Sequence, residues 1–268
     1  SFDKAVACFC VVSRSASEES MEKQILVGGG VERGVFVVSV NEQELSLSVT
    51  FSLDVDAHKL VYNDFDEQVY FISNRMFGSI DPRVLSVSVY MQDLNDFELT
   101  AITCKQNTVI LGTNANKMVI FDTNTNNIHN EIVHVNRKCA SKMARITCLS
   151  VVDHASGVLA VGDCNGDVCL YDLDQPDMLP MQTFSLLSDH TSQNTWIQLI
   201  VSCQSSSGQP QLLALDNHGN VSLLQNDMII RIIESPFRFH ADFVCGCVLS
   251  SSTVALGGNL GSVQILNL

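Results

Sequence analysis

Residues Arg145–Leu173 read RITCLSVVDHASGVLAVGDCNGDVCLYDL. Three short apolar runs stand out: Ile146 to Val152, Val158 to Val161, and Val168 to Leu173. Two turns part them, Asp153-His154-Ala155-Ser156-Gly157 and Gly162-Asp163-Cys164-Asn165-Gly166. Asn-Gly ahead of an alternating run is the strongest short-range hairpin signal, because both residues tolerate positive φ. The spacing therefore predicts three antiparallel strands in 29 residues.

The unit recurs. Its template is a small residue, three positions, a glycine, and an apolar strand residue two further on. It appears as Gly30, Gly34, Phe36; as Gly112, Asn116, Met118; as Gly162, Gly166, Val168; and as Gly257, Gly261, Val263. Gly219-Asn220-Val221 keeps the later half, with Leu215 in the first slot, and Asn63, Glu67, Val69 is the poorest copy. The markers at 34, 67, 116, 166, 219 and 261 are separated by 33, 49, 50, 53 and 42 positions. These centre near the roughly 40–45 residues of a four-stranded propeller blade.

Six units follow. The first runs from Ala5 to Thr50, with strands Ala5–Ser13, Lys23–Val27, Val35–Val40 and Leu45–Val49; Ser13 to Lys23 reads as a solvated loop. The second, Phe51 to Met91, is the least regular. The third runs from Leu99 to Asn136, and the fourth is the opening stretch with Met181–Leu187 as its outer strand. The fifth spans Trp196 to Glu234. The sixth opens at Arg238-Phe239-His240-Ala241-Asp242-Phe243 and offers three strands, FVCGCVLS, TVALGG and SVQILNL. Val, Ile, Leu and Thr dominate these runs, and no stripe of period 3.6 is sustained. The expectation is an all-β chain forming one domain over 1–268.

Composition narrows the class. Of 268 residues 46% are hydrophobic and 16% charged, which suits a packed core and argues against disorder. The formal net charge is −14. Phosphate backbones are bound chiefly by cationic neutralisation, so nucleic acid is a disfavoured partner. No run reaches bilayer length, so no transmembrane segment is expected. The N-terminus lacks Met and a basic leader, which is expected of a piece of a longer protein or a trimmed end.

Ten cysteines are too many to ignore. Cys104 and Cys148 each end an Ile-Thr-Cys tripeptide, read as the same place in two copies of the unit. Cys8 with Cys10, and Cys245 with Cys247, lie two apart on first strands and so share a face. Free Cys packs as a small hydrophobe. Reduced core thiols in a cytoplasmic or nuclear protein are expected, and no C-x-x-C or zinc spacing competes.

These units resemble the WD40-repeat β-propellers, best from Leu99 to Leu268. That family ends the third strand of each blade with an aromatic-Asp pair, and Phe121-Asp122 and Tyr171-Asp172 fill the slot here. Leu224-Gln225 and Leu266-Asn267 depart from it. The family's blade-entrance histidine corresponds to His240, His190 and His134, none preceded by Gly. The resemblance implies a degenerate WD40-like propeller of about seven four-stranded antiparallel blades, six of them visible. It further implies a structural, bridging histidine. The short sixth unit then implies a strand beyond 268, or a further blade within Glu42 to Glu98.

Chemistry is sparse. There is no G-x-S-x-G, P-loop or H-E-x-x-H. Gly28-Gly29-Gly30 lacks the strand-to-helix context of a phosphate cradle and reads as a strand end. Asp163, Asp167 and Asp172 read as backbone-bonding turn residues. Asp122 to Asn126 alternates like a calcium loop but lacks its glycine and distal Glu. Asn220-Val221-Ser222 is a sequon inside an expected strand. No catalytic residue, metal site or cofactor is implied.

Two charged stretches remain. Glu42 to Glu98 holds eleven acidic and three basic residues, −8 in all, a solvated face or a dock for a basic partner. Arg137, Lys138, Lys142 and Arg145 form the one basic cluster, a loop suited to an acidic peptide, phosphate or lipid headgroup. Trp196, the only Trp, opens a blade, and aromatics and Arg are favoured in interface hot spots. With Arg238 and Asp242 these are the candidate protein-binding residues.

The sequence thus points to a non-enzymatic interaction scaffold within a larger assembly, its partners proteins or peptides, with no small-molecule substrate. The alternatives are a propeller hydrolase with a channel-mouth site and a reader of peptide or phospho-motifs using the basic loop.

Overall fold

The computed structural model describes residues 6–13, 23–29, 35–41, 46–55, 57–135, 144–153, 157–175, 179–186, 195–205, 208–225, 228–233, 243–250, 253–258 and 263–267. Side chains at 6–13, 23–29, 36–41, 46–52, 153, 230–233, 243–245, 247, 249–250 and 258 lie outside the description. Among the described residues there is no helix. The described residues form twenty-three strands in six sheets, each in chain order and antiparallel wherever the register is defined.

The first sheet is β1 (Val6–Ser13), β2 (Lys23–Gly29), β3 (Val35–Asn41) and β4 (Ser46–Leu53). The second is β5 (Lys59–Asn63), β6 (Gln68–Ile72), β7 (Phe77–Asp81) and β8 (Ser86–Met91). The third is β9 (Leu99–Lys105), β10 (Thr108–Thr113), β11 (Lys117–Asp122) and β12 (Asn127–Val133). The fourth is β13 (Ile146–Asp153), β14 (Val158–Asp163), β15 (Asp167–Asp172) and β16 (Pro180–Ser185). The fifth is β17 (Ile197–Gln204), β18 (Pro210–Asp216), β19 (Val221–Gln225) and β20 (Met228–Ile233). The sixth has three strands, β21 (Phe243–Ser250), β22 (Thr253–Gly258) and β23 (Val263–Asn267).

The burial of these strands follows from their sequence. Middle strands such as TVILGT and VLAVGD are apolar on consecutive residues and buried on both faces. Outer strands such as SVSVYM and NIHNEIV are exposed over most of their length. In the third, fourth and fifth sheets the turn from second to third strand carries a residue at positive φ, and this is where the template places glycine. Asn116 has φ 63°, Gly166 78° and Gly219 81°.

One expectation about register fails. In the second sheet the pattern Asn63, Glu67, Val69 falls on β5 and β6, one strand too early. Glu67 also has positive φ, 58°, so its turn imitates the true one. Counting from Arg75, two residues before β7, changes the spacings of 33 and 49 to 41 and 41. The second unit is therefore regular, but Ser73-Asn74-Arg75-Met76 carries no glycine to mark it. Phe51–Leu53 belong to β4, and the described part of Glu42–Glu98 holds β4 and this one sheet, with no further sheet there. Cys104 and Cys148 share a tripeptide but not a position: Cys104 is next to last in β9, Cys148 third in β13.

The chain divides into two compact units, Ser1–Val109 with Phe121–Asn127, and Ile110–Ile120 with Ile128–Leu268. In the first, Val35, Leu53, Val55, Ala57, Val69, Phe71 and Ile80 form one core. Beside it Phe77 packs edge-on to Phe121 at 4.9 Å and stacks with Tyr70 at 6.0 Å. In the second, the fourth sheet is cemented to the fifth and the fifth to the sixth. Cys148, Ala160, Val168 and Phe184 of the fourth meet Ile197, Ile200, Leu212, Ala214 and Leu224 of the fifth. The other face of the fifth, with Val201, Leu213 and Leu215, meets Val254 and Leu256 of the sixth. Each Val, Leu, Ile or Phe among them contributes roughly 1.5–3 kcal/mol when buried. The opposite face of the sixth sheet is bare by comparison: Val263 is 72% and Ile265 53% exposed.

Candidate surface at the strand entrances

Four sheets begin alike. The innermost strand pairs at its first residue, breaks register over the next, and resumes at its third. The break lies between Val6 and Cys8, Ile146 and Cys148, Ile197 and Leu199, and Phe243 and Cys245. A bulge re-aims the chain that leads into the strand. The residues entering the fourth and fifth sheets are Arg145 and Trp196.

These two hold equivalent addresses. Cys164 N–H donates to the Arg145 carbonyl at 2.9 Å, and Asn217 N–H donates to the Trp196 carbonyl at 3.1 Å. Trp196 N–H also donates to Asn217 Oδ1 at 3.0 Å. Behind each lies the same carboxylate-closed turn. Asp163 Oδ1 accepts from the N–H groups of Asn165 (2.8 Å) and Asp167 (3.1 Å). Asp216 Oδ1 accepts from those of His218 and Asn220, both at 2.9 Å. Ile146 and Ile197, next in sequence, are fully buried. Thr147 Oγ1 donates to the Ile197 carbonyl, tying one entrance to the other. Both backbones are thus held while both side chains stay exposed, the Trp196 ring at 41%.

Of the sequence-predicted contacts, Arg145 and Trp196 are brought onto the same edge. Arg137, Lys138, Lys142, Arg238 and Asp242 lie outside the described residues, as do His190 and His240.

His134 is fully enclosed in the second unit. Its Nδ1 is 2.7 Å from the Tyr171 hydroxyl and its Nε2 3.4 Å from Asp163 Oδ2. A carboxylate only accepts, so Nε2 donates and Nδ1 accepts from the hydroxyl. Val135 N–H reaches the same hydroxyl at 3.3 Å, and His134 N–H donates to the Asn116 carbonyl at 2.8 Å. Tyr171 is the aromatic of the Tyr-Asp pair, so the bridging histidine implied by the repeat is in place. This is architecture: the ring knits the loop after β12 to β14 and β15.

Of the aspartates singled out in the sequence, Asp163, Asp172 and Asp122 close turns, whereas Asp167 is the buried first residue of β15 and gives its N–H to Asp163 Oδ1. Besides Asp163, Asp172 Oδ1 accepts from Asp174 N–H at 3.0 Å. Asp122 Oδ1 accepts from Asn124 N–H at 2.8 Å, making the calcium-like stretch a turn between β11 and β12. In the acidic segment, Asp66 accepts from Gln68 N–H and from the Tyr70 hydroxyl at 2.7 Å. Burial and that hydrogen bond raise the Tyr70 pKa. Arg83 grips Asp81 at 2.9 Å and holds its carboxyl down to about 2, while also reaching Glu67 at 3.3 Å. Among the described residues no group of three or more His, Cys, Asp or Glu is placed to hold a metal ion. Burial pushes the Cys104 thiol up to about 12 and raises those of Cys164 and Cys203.

No protein-family model and no curated protein matches this sequence. Solved structures do. A chain of the mitotic checkpoint complex aligns at TM-score 0.59 and 16% identity, over 78% of this chain and 61% of that one. Raptor of Chaetomium thermophilum aligns at 0.68 and 12%, over 99% of this chain and 24% of its own. The WD40 β-propeller domain of Doa1 aligns at 0.64 and 14%, over 99% and 83%. The chain thus spans less than two thirds of the first two. With six successive antiparallel sheets and these neighbours, the fold of this chain is that of the WD40-type β-propellers, with repeats too degenerate for a family signature.

Proposed function

We propose that this chain is a non-enzymatic protein-interaction module, working as a domain or subunit of a larger assembly in the cytoplasm or nucleus. The observation that carries this is the shared address of Arg145 and Trp196. Their carbonyls are fixed by equivalent hydrogen bonds, and their side chains stand free on the same edge. Arg and Trp dominate interface hot spots because they offer broad contact with directed donors. Holding them on a tied backbone lowers the ordering cost of binding. The titratable groups behind them serve turns and packing, which supports a binding role over catalysis. The neighbours are named for an assembly and a WD40 domain, and the reduced thiols of Cys104, Cys164 and Cys203 support a reducing compartment.

The test is quantitative affinity capture with the wild type and with Arg145→Glu/Trp196→Ala. At least one stoichiometric partner should be lost from the double variant while thermal stability is kept. Identical recovery of every partner by the two proteins overturns the assignment of this edge.

A further inference from the structure

At the other end of the fourth and fifth sheets the facing strands enclose a groove of about 570 Å³. Its floor is Phe184, Leu212 and Leu224, all buried. Val152, Val158 and Leu170 form the half-buried wall on the fourth sheet, with Pro210 opposite. Register explains why these residues converge. Ala160 pairs Leu170, Leu170 pairs Gln182, and Leu212 pairs Leu224, so each set lies on one face of its sheet. The inner strands are pinned by Thr147 to Ile197 and by Ser202 Oγ donating to the Val152 carbonyl. The groove lies where β15 and β16 part from β18 and β19.

Three features define what fits. No charged residue lines the groove, so the occupant is uncharged along its length. Two amides stand at the mouth. Gln225 Oε1 accepts from Gln211 Nε2 at 2.7 Å, which orients that amide and leaves its Nε2 to donate, while Gln182 is half-buried beside it. Peptide groups match such amides. Finally, β16 is the outermost strand of its sheet, so among the described residues its outer edge has no partner strand. A bulge at Met181, 47% exposed, interrupts the β15–β16 pairing beside the groove.

We propose that this groove is a docking site for an extended, uncharged peptide segment of a partner protein, carrying two bulky apolar residues two positions apart. The segment adds along β16, and alternate side chains enter the groove, as period-2 geometry requires. Roughly 300–1,000 Å³ is the usual range for ligand pockets, and this groove holds two such side chains comfortably. The surface is separate from the Arg145–Trp196 edge, which lies at the opposite strand ends.

The probe is a pool of capped, fluorescein-labelled heptapeptides with Leu, Ile, Val or Phe at positions 3 and 5 and Ser, Thr, Asn, Gln or Gly elsewhere. Fluorescence polarisation should show saturable binding, weakened at least tenfold by Met181→Asp and retained by Met181→Leu. A pool with the apolar residues adjacent, at positions 3 and 4, should bind at least fivefold more weakly. Val84→Ser, at an exposed position of the first unit, should leave binding unchanged. If Met181→Asp alters folding, Gln182→Glu supplies the same charge on a half-exposed amide. Equal binding of the two pools, binding indifferent to both charge variants, or no binding overturns the proposal. Uptake of a neutral detergent without either pool overturns it too, in favour of a lipid-like occupant.

Discussion

The Tyr171 hydroxyl lies 2.7 Å from His134 Nδ1, with both side chains enclosed. It also receives Val135 N–H. Removing it leaves a ring nitrogen unpaired inside the protein and one backbone donor poorly served. Such a loss costs about 1–3 kcal/mol. Tyr171→Phe should lower the urea midpoint accordingly without altering the far-ultraviolet circular dichroism spectrum. An unchanged midpoint would show that the bridge contributes nothing.

Gly162 answers to space, not to φ. A Cβ there would stand 2.5 Å from Cys148 Sγ and 2.8 Å from Ile197 Cγ2, at the junction of the fourth and fifth sheets. Overpacking of this kind costs about 1–3 kcal/mol. Gly162→Ala should destabilise, and Gly162→Ala/Cys148→Ala should recover part of the loss because the nearest atom is gone. Gly208, with φ +77° and open space around it, has no such contact to relieve. Non-additivity in the first pair, read from thermal melts, checks the account.

Cys104 is buried, its thiol facing the Tyr62 carbonyl at 3.5 Å. Burial, then the fields of Asp66 and Asp64, push its pKa from the usual 9.0 up to about 12. Its thiolate fraction at pH 8 is lower than that of a free thiol by roughly a thousandfold. Alkylation mapped by mass spectrometry should leave Cys104 unmodified in the folded chain and modify it rapidly in urea. The sign of the pH effect follows. The folded value is raised, so the contribution to stability is complete below pH 9 and is lost as pH rises through 9 toward 12. Cys104→Ala should flatten the alkaline fall in stability.

Trp196 is the one tryptophan in the chain, so intrinsic tryptophan fluorescence reports this edge alone. With the ring 41% exposed, iodide should quench it in the folded state. A partner that covers the edge should shift the emission to shorter wavelength and protect it from iodide. Binding with no change in either would place that partner elsewhere.

Much of this was legible in the chain because the repeat is written in turn chemistry. Asn116, Gly166 and Gly219 mark positive-φ corners, and the Phe121-Asp122 and Tyr171-Asp172 pairs end third strands as expected. The second sheet misleads for a physical reason. Glu67 adopts positive φ at the wrong corner, while the real corner at Asn74-Arg75 uses no residue that announces it. The entrance surface was half visible. Arg145 and Trp196 were each recognisable by type, but their equivalence rests on bulges and carbonyl hydrogen bonds that composition does not encode. The groove was invisible, since Phe184, Leu212 and Leu224 read as ordinary core.

The strand entrances separate two jobs that most surface positions combine. At Arg145 and Trp196 the main chain does the anchoring, through a carbonyl that any amino acid supplies, and the side chain stays exposed. Substitutions there are free to change what the molecule touches without changing what it is. Repeats wired this way drift apart in sequence while their geometry stays in step.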